Sequence, residues 1–140
     1  MLKTLLAILI TSHALVVGAG AAELRGRVVC LVEENGKAAA NHEHVYGFKT
    51  TEGKRYKLVR TRLSEALFVD KRLQEKDLLL KGKLSADSES FEPTAIHSVK
   101  NGVVHEVYYW CEICAIEAVA PEICVCCQGP VDLVEMPLAK

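Results

Sequence analysis

The sequence predicts a mainly β protein that ends in a cysteine-rich knuckle. Three observations lead there. Short runs of β-branched and aromatic residues alternate with turn signals along most of the chain. One helical periodicity interrupts them, over residues 63–69, between the third and fourth runs. Five of the six cysteines fall between Cys111 and Cys127. No hydrophobic core requires that density, because a free cysteine packs only as a small apolar residue.

The chain begins with a short positive head, Met1-Leu2-Lys3, and an apolar run over residues 5–17. The small residues Ala19-Gly20-Ala21-Ala22 follow. That order predicts a signal peptide over residues 1–22, cleaved after Ala21 or Ala22. The alternative is an uncleaved anchor, but the run is short for a spanning helix. No second apolar segment is long enough to span a membrane, so no span is expected after the leader is removed. The expected location is exported, periplasmic or secreted.

Residues 24–33 make the first strand, with Cys30 inside it as a buried thiol and Asn35-Gly36 as the turn. In His42-Glu43-His44 both imidazoles share one side of an extended segment. Two histidines on a loop edge are a weak metal signal. Residues 45–50 and 54–60 form a hairpin around Glu52-Gly53, with Tyr46, Phe48, Tyr56 and Leu58 on the apolar face. Leu63, Ala66 and Leu67 then follow the helical i, i+3, i+4 spacing, which Leu73 continues. Residues 71–76 read as a charged loop or frayed turn.

Residues 77–84 are a fourth strand, in which Gly82 marks a bulge or bend. Residues 85–90 are a polar loop, and residues 93–100 a fifth strand. Asn101-Gly102 is the strongest short hairpin signal in the chain and leads into residues 103–110. A two-residue loop there sets Val99 opposite Val104 and His97 opposite Glu106. Three strands, a short helix and two strands is the order of the OB-fold. The expected organisation is an OB-like barrel over residues 23–109 with a cysteine-rich, zinc-ribbon-like extension over 110–140.

That extension contains Cys111-Glu112-Ile113-Cys114 and, nine residues later, Cys124-Val125-Cys126-Cys127. Two Cys-x-x-Cys knuckles supply the four sulfurs that tetrahedral zinc requires. Cys111, Cys114, Cys124 and Cys127 are therefore the candidate ligands, with Cys126 outside the set. Gly129 supplies a tight turn after the second knuckle, and the first knuckle has Ala115 and Ile116 instead. The spacing argues for metal, zinc above all. An oxidising compartment argues for disulfides, and six cysteines allow fifteen pairings. Both readings stay open on sequence grounds.

The runs at residues 63–73, Leu80-Lys81-Gly82, residues 107–116 and Cys124-Val125-Cys126-Cys127 resemble a group of uncharacterised exported bacterial proteins with an OB-like domain and a cysteine-rich end. The resemblance implies a small exported protein and carries no activity or substrate.

Charge is uneven. Residues 49–83 hold eleven Lys and Arg against five Asp and Glu, and residues 84–140 hold two against nine. Lys49, Lys54, Arg55, Lys57, Arg60 and Arg62 interleave with Tyr46, Phe48 and Tyr56, as in single-strand grooves. Export and the acidic tail argue against a nucleic-acid partner. No nucleophile–base pair, paired catalytic carboxylates or phosphate-binding glycine loop is visible, so the sequence predicts no enzyme. The expected function is an exported binding module for a protein or small ligand, with structural zinc. The alternatives are a thiolate carrier or sensor for copper or zinc and a disulfide-stapled interaction domain.

Overall fold

The structure, a computed structural model, describes residues 20–32 and 44–138. Eight strands and two short helices follow in the order β1 (Ala21–Cys30), β2 (Tyr46–Thr50), β3 (Arg55–Leu58), α1 (Glu65–Val69), α2 (Lys71–Gln74), β4 (Leu78–Leu84), β5 (Ser90–Lys100), β6 (Val103–Cys111), β7 (Ile116–Ala118) and β8 (Asp132–Pro137).

The first five strands close a barrel of the expected OB-like type. β1 pairs antiparallel with β2 through residues 26–30 and with β4 through residues 21–26. β2 pairs with β3, and β4 with β5. The seam is a short parallel pairing of β3 with β5, Lys57 opposite Ser90 and Leu58 opposite Phe91. It explains why β5 begins at Ser90, three residues before the expected start at Pro93.

Two glycines let the barrel turn its corners. β1 changes partner at Gly26, where a Cβ would lie 2.0 Å from the Lys49 carbonyl oxygen. The β4–β5 register shifts between Lys81 and Gly82, and a Cβ on Gly82 would lie 2.1 Å from the Glu92 carbonyl oxygen. Pro93 pairs with Gly82 at this irregularity, the kind of place where a strand tolerates a residue without an N–H.

Alternation within the strands fills the barrel. Val28, Phe48, Tyr56, Leu58, Leu78, Leu80 and Phe91 point inward, and Leu67 of α1 joins them. On the other side of α1, Ala66 packs with Leu73 of α2 and Tyr109 of β6 in a second core. The helix thus lies between the barrel and an outer layer. Leu63 was expected on its apolar face, but α1 starts at Glu65 and Leu63 is exposed. Residues 71–76, expected as a charged loop or frayed turn, include the single turn of α2, whose N-cap Asp70 accepts a hydrogen bond from the Arg72 N–H at 2.9 Å.

Phe48 and Tyr56 are core residues, so they offer no face on which a base could stack. Both expected hairpins are present. Asn101 and Gly102 both have positive φ, as a type I′ turn requires, and His97 faces Glu106 and Val99 faces Val104. Cys30 closes β1 and is half-buried, rather than sitting mid-strand and buried. Residues 1–19, Asn35, Gly36, His42 and Glu43 lie outside the described residues. Among the described residues no helix is long and apolar enough to cross a membrane.

β6 leaves the barrel and carries the outer layer. β8 pairs with it antiparallel from His105 to Trp110, and β7 from Tyr109 to Cys111. Neither β7 nor β8 was expected from the sequence.

Candidate metal centre

Cys111 is the last residue of β6, and the β6–β7 turn carries Cys114. In this turn the Ala115 N–H donates to the Cys111 carbonyl at 2.8 Å, and Ala115 has φ +52°. The second knuckle repeats the pattern. The Gln128 N–H donates to the Cys124 carbonyl at 3.0 Å, and Gln128 has φ +59°. The left-handed residue thus directly follows the second cysteine in each knuckle. In the second knuckle it is Gln128, not Gly129 as the sequence suggested. Gly129 instead accepts a hydrogen bond on its carbonyl from the Cys124 N–H at 2.9 Å.

The repeat extends to the sulfurs. Cys111 Sγ accepts hydrogen bonds from the N–H groups of Cys114 and Ile113. Cys124 Sγ accepts them from Cys127 and Cys126. Backbone donors aimed at sulfur favour the thiolate, the form that binds metal. For Cys124 they win over burial and hold the thiol down to about 7. At Cys111 the Cys114 N–H also favours the thiolate, but burial and contacts with the Cys124 and Cys127 sulfurs outweigh it and push the thiol up. Cys114 is pushed up strongly by its hydrogen bond with Cys126, by burial and by the other two sulfurs. Cys124 is thus the more readily ionised sulfur, while Cys111 and Cys114 are pushed toward the thiol and would be deprotonated by a divalent cation on binding.

The ligand atoms of Cys111, Cys114, Cys124 and Cys127 all lie within 4.8 Å of one another. The Cys111–Cys127 separation is 3.5 Å. Four sulfurs at about 2.3 Å from one zinc ion would stand about 3.8 Å apart, so only small shifts would complete a tetrahedron. The four can hold one metal ion, and all four predicted ligands come together. Cys111, Cys114, Cys124, Cys126 and Cys127 are all thiols, so no disulfide is formed within the cluster. Glu112, Glu117 and Glu122 are exposed, which keeps their charge off the sulfurs. His44, half of the weak histidine pair, stands with its ring 5.9 Å from that of Tyr46.

Two features escaped the sequence. Cys126 is outside the four-sulfur set and exposed, yet it helps push the Cys114 thiol up. The extra cysteine within Cys124-Val125-Cys126-Cys127 was the only signal of it. The second feature is the support beneath the knuckle. The Tyr109 hydroxyl donates to the buried Asp70 carboxylate at 2.7 Å, and Arg72 donates to the same oxygen at 2.7 Å. Burial opposes ionisation of Asp70, but Arg72 and Tyr109 together hold its carboxyl below the ordinary value. This ties the end of β6, two residues before Cys111, to the helices. The chain matches no protein-family model, no curated protein and no solved structure.

Proposed function

We propose that the protein is an exported, non-catalytic binding module whose C-terminal cysteine cluster holds one structural zinc ion. The observation that carries the reading is the duplicated knuckle. Each copy aims two backbone N–H groups at its first sulfur. Such donors offset the negative charge that four thiolates place around a divalent ion. Export rests on the leader-like residues 1–22 and agrees with the resemblance to exported proteins. The non-catalytic reading rests on the polar groups beside the helices and β8, which are engaged in the Asp70–Arg72–Tyr109 set and in ion pairs of Glu135 with Lys76 and Lys100.

Elemental analysis of the purified chain, with a thiol count before and after chelation, tests the cluster. One zinc per chain is expected, with four thiols protected until the metal is removed. Protein free of metal, or carrying bridges between the knuckles, would reject the reading. Intact mass tests export: the mature chain should begin at Ala22 or Glu23.

A second reading, a thiolate carrier or sensor for zinc or copper, draws on Cys126. Soft thiolates suit cuprous ion as well as zinc, and a fifth sulfur has no place in a closed structural site.

A further inference from the structure

We propose that the cleft beside β7 docks an extended peptide of a partner protein, one that alternates apolar and basic residues and adds a strand to the open edge of β7. The inference rests on the binding-module reading and deepens it by naming the partner. Three observations carry it.

The first is apolar exposure. Leu63, Ile116, Val119, Ile123 and Val125 are each between 36% and 77% exposed. All five line one cleft of about 290 Å³, between the turn before α1 and the knuckle. Large apolar side chains gathered on a surface mark a contact region. This gives a place to Leu63, which the helical spacing set on a buried face. A second hollow of about 150 Å³ continues the cleft past Leu63, Glu117, Ala118 and Val119, which line both. It ends beside His97 and Glu106, where the pairing of β5 with β6 stops. Two hollows in line fit a chain in extended form, whose alternate side chains point the same way.

The second is the strand edge. β7 pairs with β6 and ends the sheet order. Among the described residues no strand covers its other edge. An open edge offers backbone N–H and C=O groups to an incoming strand. In that mode main-chain bonds supply affinity and the side-chain hollows supply choice. The third is charge. Glu106, Glu117 and Glu122 are exposed along the cleft. Among the described residues that line it, Arg62 is the one Lys or Arg. The cleft therefore favours a basic partner and selects against an acidic one. The same charge argues against a second copy of this chain. A two-fold pairing of β7 with β7, centred on Glu117, sets each Glu117 opposite the other, and like charges directly opposite are destabilising.

Selection of random displayed heptapeptides on the purified full chain tests the proposal. Enriched peptides should alternate apolar residues with lysine or arginine, and the best of them, synthesised, should bind one to one. Methylation of its alternate amide nitrogens should abolish binding in one register and spare it in the other, the mark of strand addition. Leu63→Ser and Ile123→Ser trim exposed positions, and each should weaken the peptide by about tenfold. Glu117→Lys with Glu122→Lys should weaken it too, most at low salt. The proposal is overturned if no peptide is enriched, if the enriched peptides are acidic, or if both serine variants bind as the parent does. It is also overturned if the free chain is a dimer that Ile123→Ser separates, since the cleft then holds a second copy. Zinc is measured on the same sample. A zinc-loaded chain that enriches no peptide overturns the proposal and leaves the metal reading standing. A metal-free chain that binds the peptide in the cleft does the opposite.

Discussion

Ala115 and Gln128 occupy backbone conformations that ordinarily belong to glycine. The left-handed region costs an L-residue about 1–2 kcal/mol, part of which glycine returns as unfolded-chain entropy. Ala115→Gly should therefore stabilise the metal-loaded protein by about 0.5–1 kcal/mol in a denaturant titration. An unchanged or lower midpoint would show that the turn does not hold this conformation in solution. The same residues show where the sequence was opaque. The four converging cysteines were legible because spacing alone sets which sulfurs a Cys-x-x-Cys turn can bring together. The absence of glycine after Cys114 counted against the first knuckle. The β6–β7 pairing imposes the turn at Ala115 regardless, and that pairing lies outside the local sequence. The 3.5 Å approach of Cys111 to Cys127 was hidden for the same reason, since it depends on how the two knuckles face each other.

At the scale of elements, β8 shows how a segment with little local signal becomes a strand. Residues 132–137 carry two acidic residues and end in proline, and their partner in β6 is more than twenty residues away in sequence. β7 has three residues and α2 four, too few for any periodicity to show. By contrast Asn101-Gly102 and Glu52-Gly53 set their hairpins locally, and both were legible. Glu135 fixes β8 to the rest. Its carboxylate lies 2.6 Å from Lys100 Nζ on β5 and 3.3 Å from Lys76 Nζ after α2, and its side chain is 12% exposed. Burial resists its ionisation, but the hydrogen bonds it accepts, led by that from Lys100, hold the carboxyl down to about 2, from an ordinary 4.5. The folded value is the lower one, so the stabilisation is complete above pH of about 4.5 and is lost as pH falls toward 2. The contribution is on the order of 3 kcal/mol. In Glu135→Gln the acid limb of the stability–pH curve should flatten over that window. A variant as acid-sensitive as the parent would assign the acid sensitivity to other carboxylates.

On the scale of the molecule, two cores share the work. The barrel is filled by Phe48, Leu78, Leu80, Phe91 and their neighbours, and no cysteine is needed there. The second core, around Tyr109, Leu73 and Ala66, supports the knuckle. The barrel order was legible because its turns and its one helix are local signals. The pairing that closes it was not, because the parallel β3–β5 seam joins residues some thirty positions apart with no turn between them. On the proposed metal reading, chelation should therefore act unevenly. Hydrogen exchange of metal-stripped protein should show lost protection across residues 111–131, while β1 to β5 stay protected. Uniform loss of protection would mean that the metal holds the whole chain together.

The pairing of Trp110 with Asp132 makes the knuckle a cassette. The chain leaves β6 there and returns to the facing position on β8, so everything from Cys111 to Val131 is an excursion from what is otherwise a plain hairpin. A short Asn-Gly linker can join facing strand positions directly. A chain with residues 111–131 replaced by that linker should still unfold cooperatively on heating, at a lower midpoint because Ala118 and Val131 leave the second core and β7 leaves Tyr109 and Trp110. Non-cooperative melting would show that the excursion is structurally indispensable. The relation also runs the other way: a twenty-one-residue segment whose ends meet across one strand pair can be set into another protein's hairpin without disturbing its register, taking its sulfurs with it.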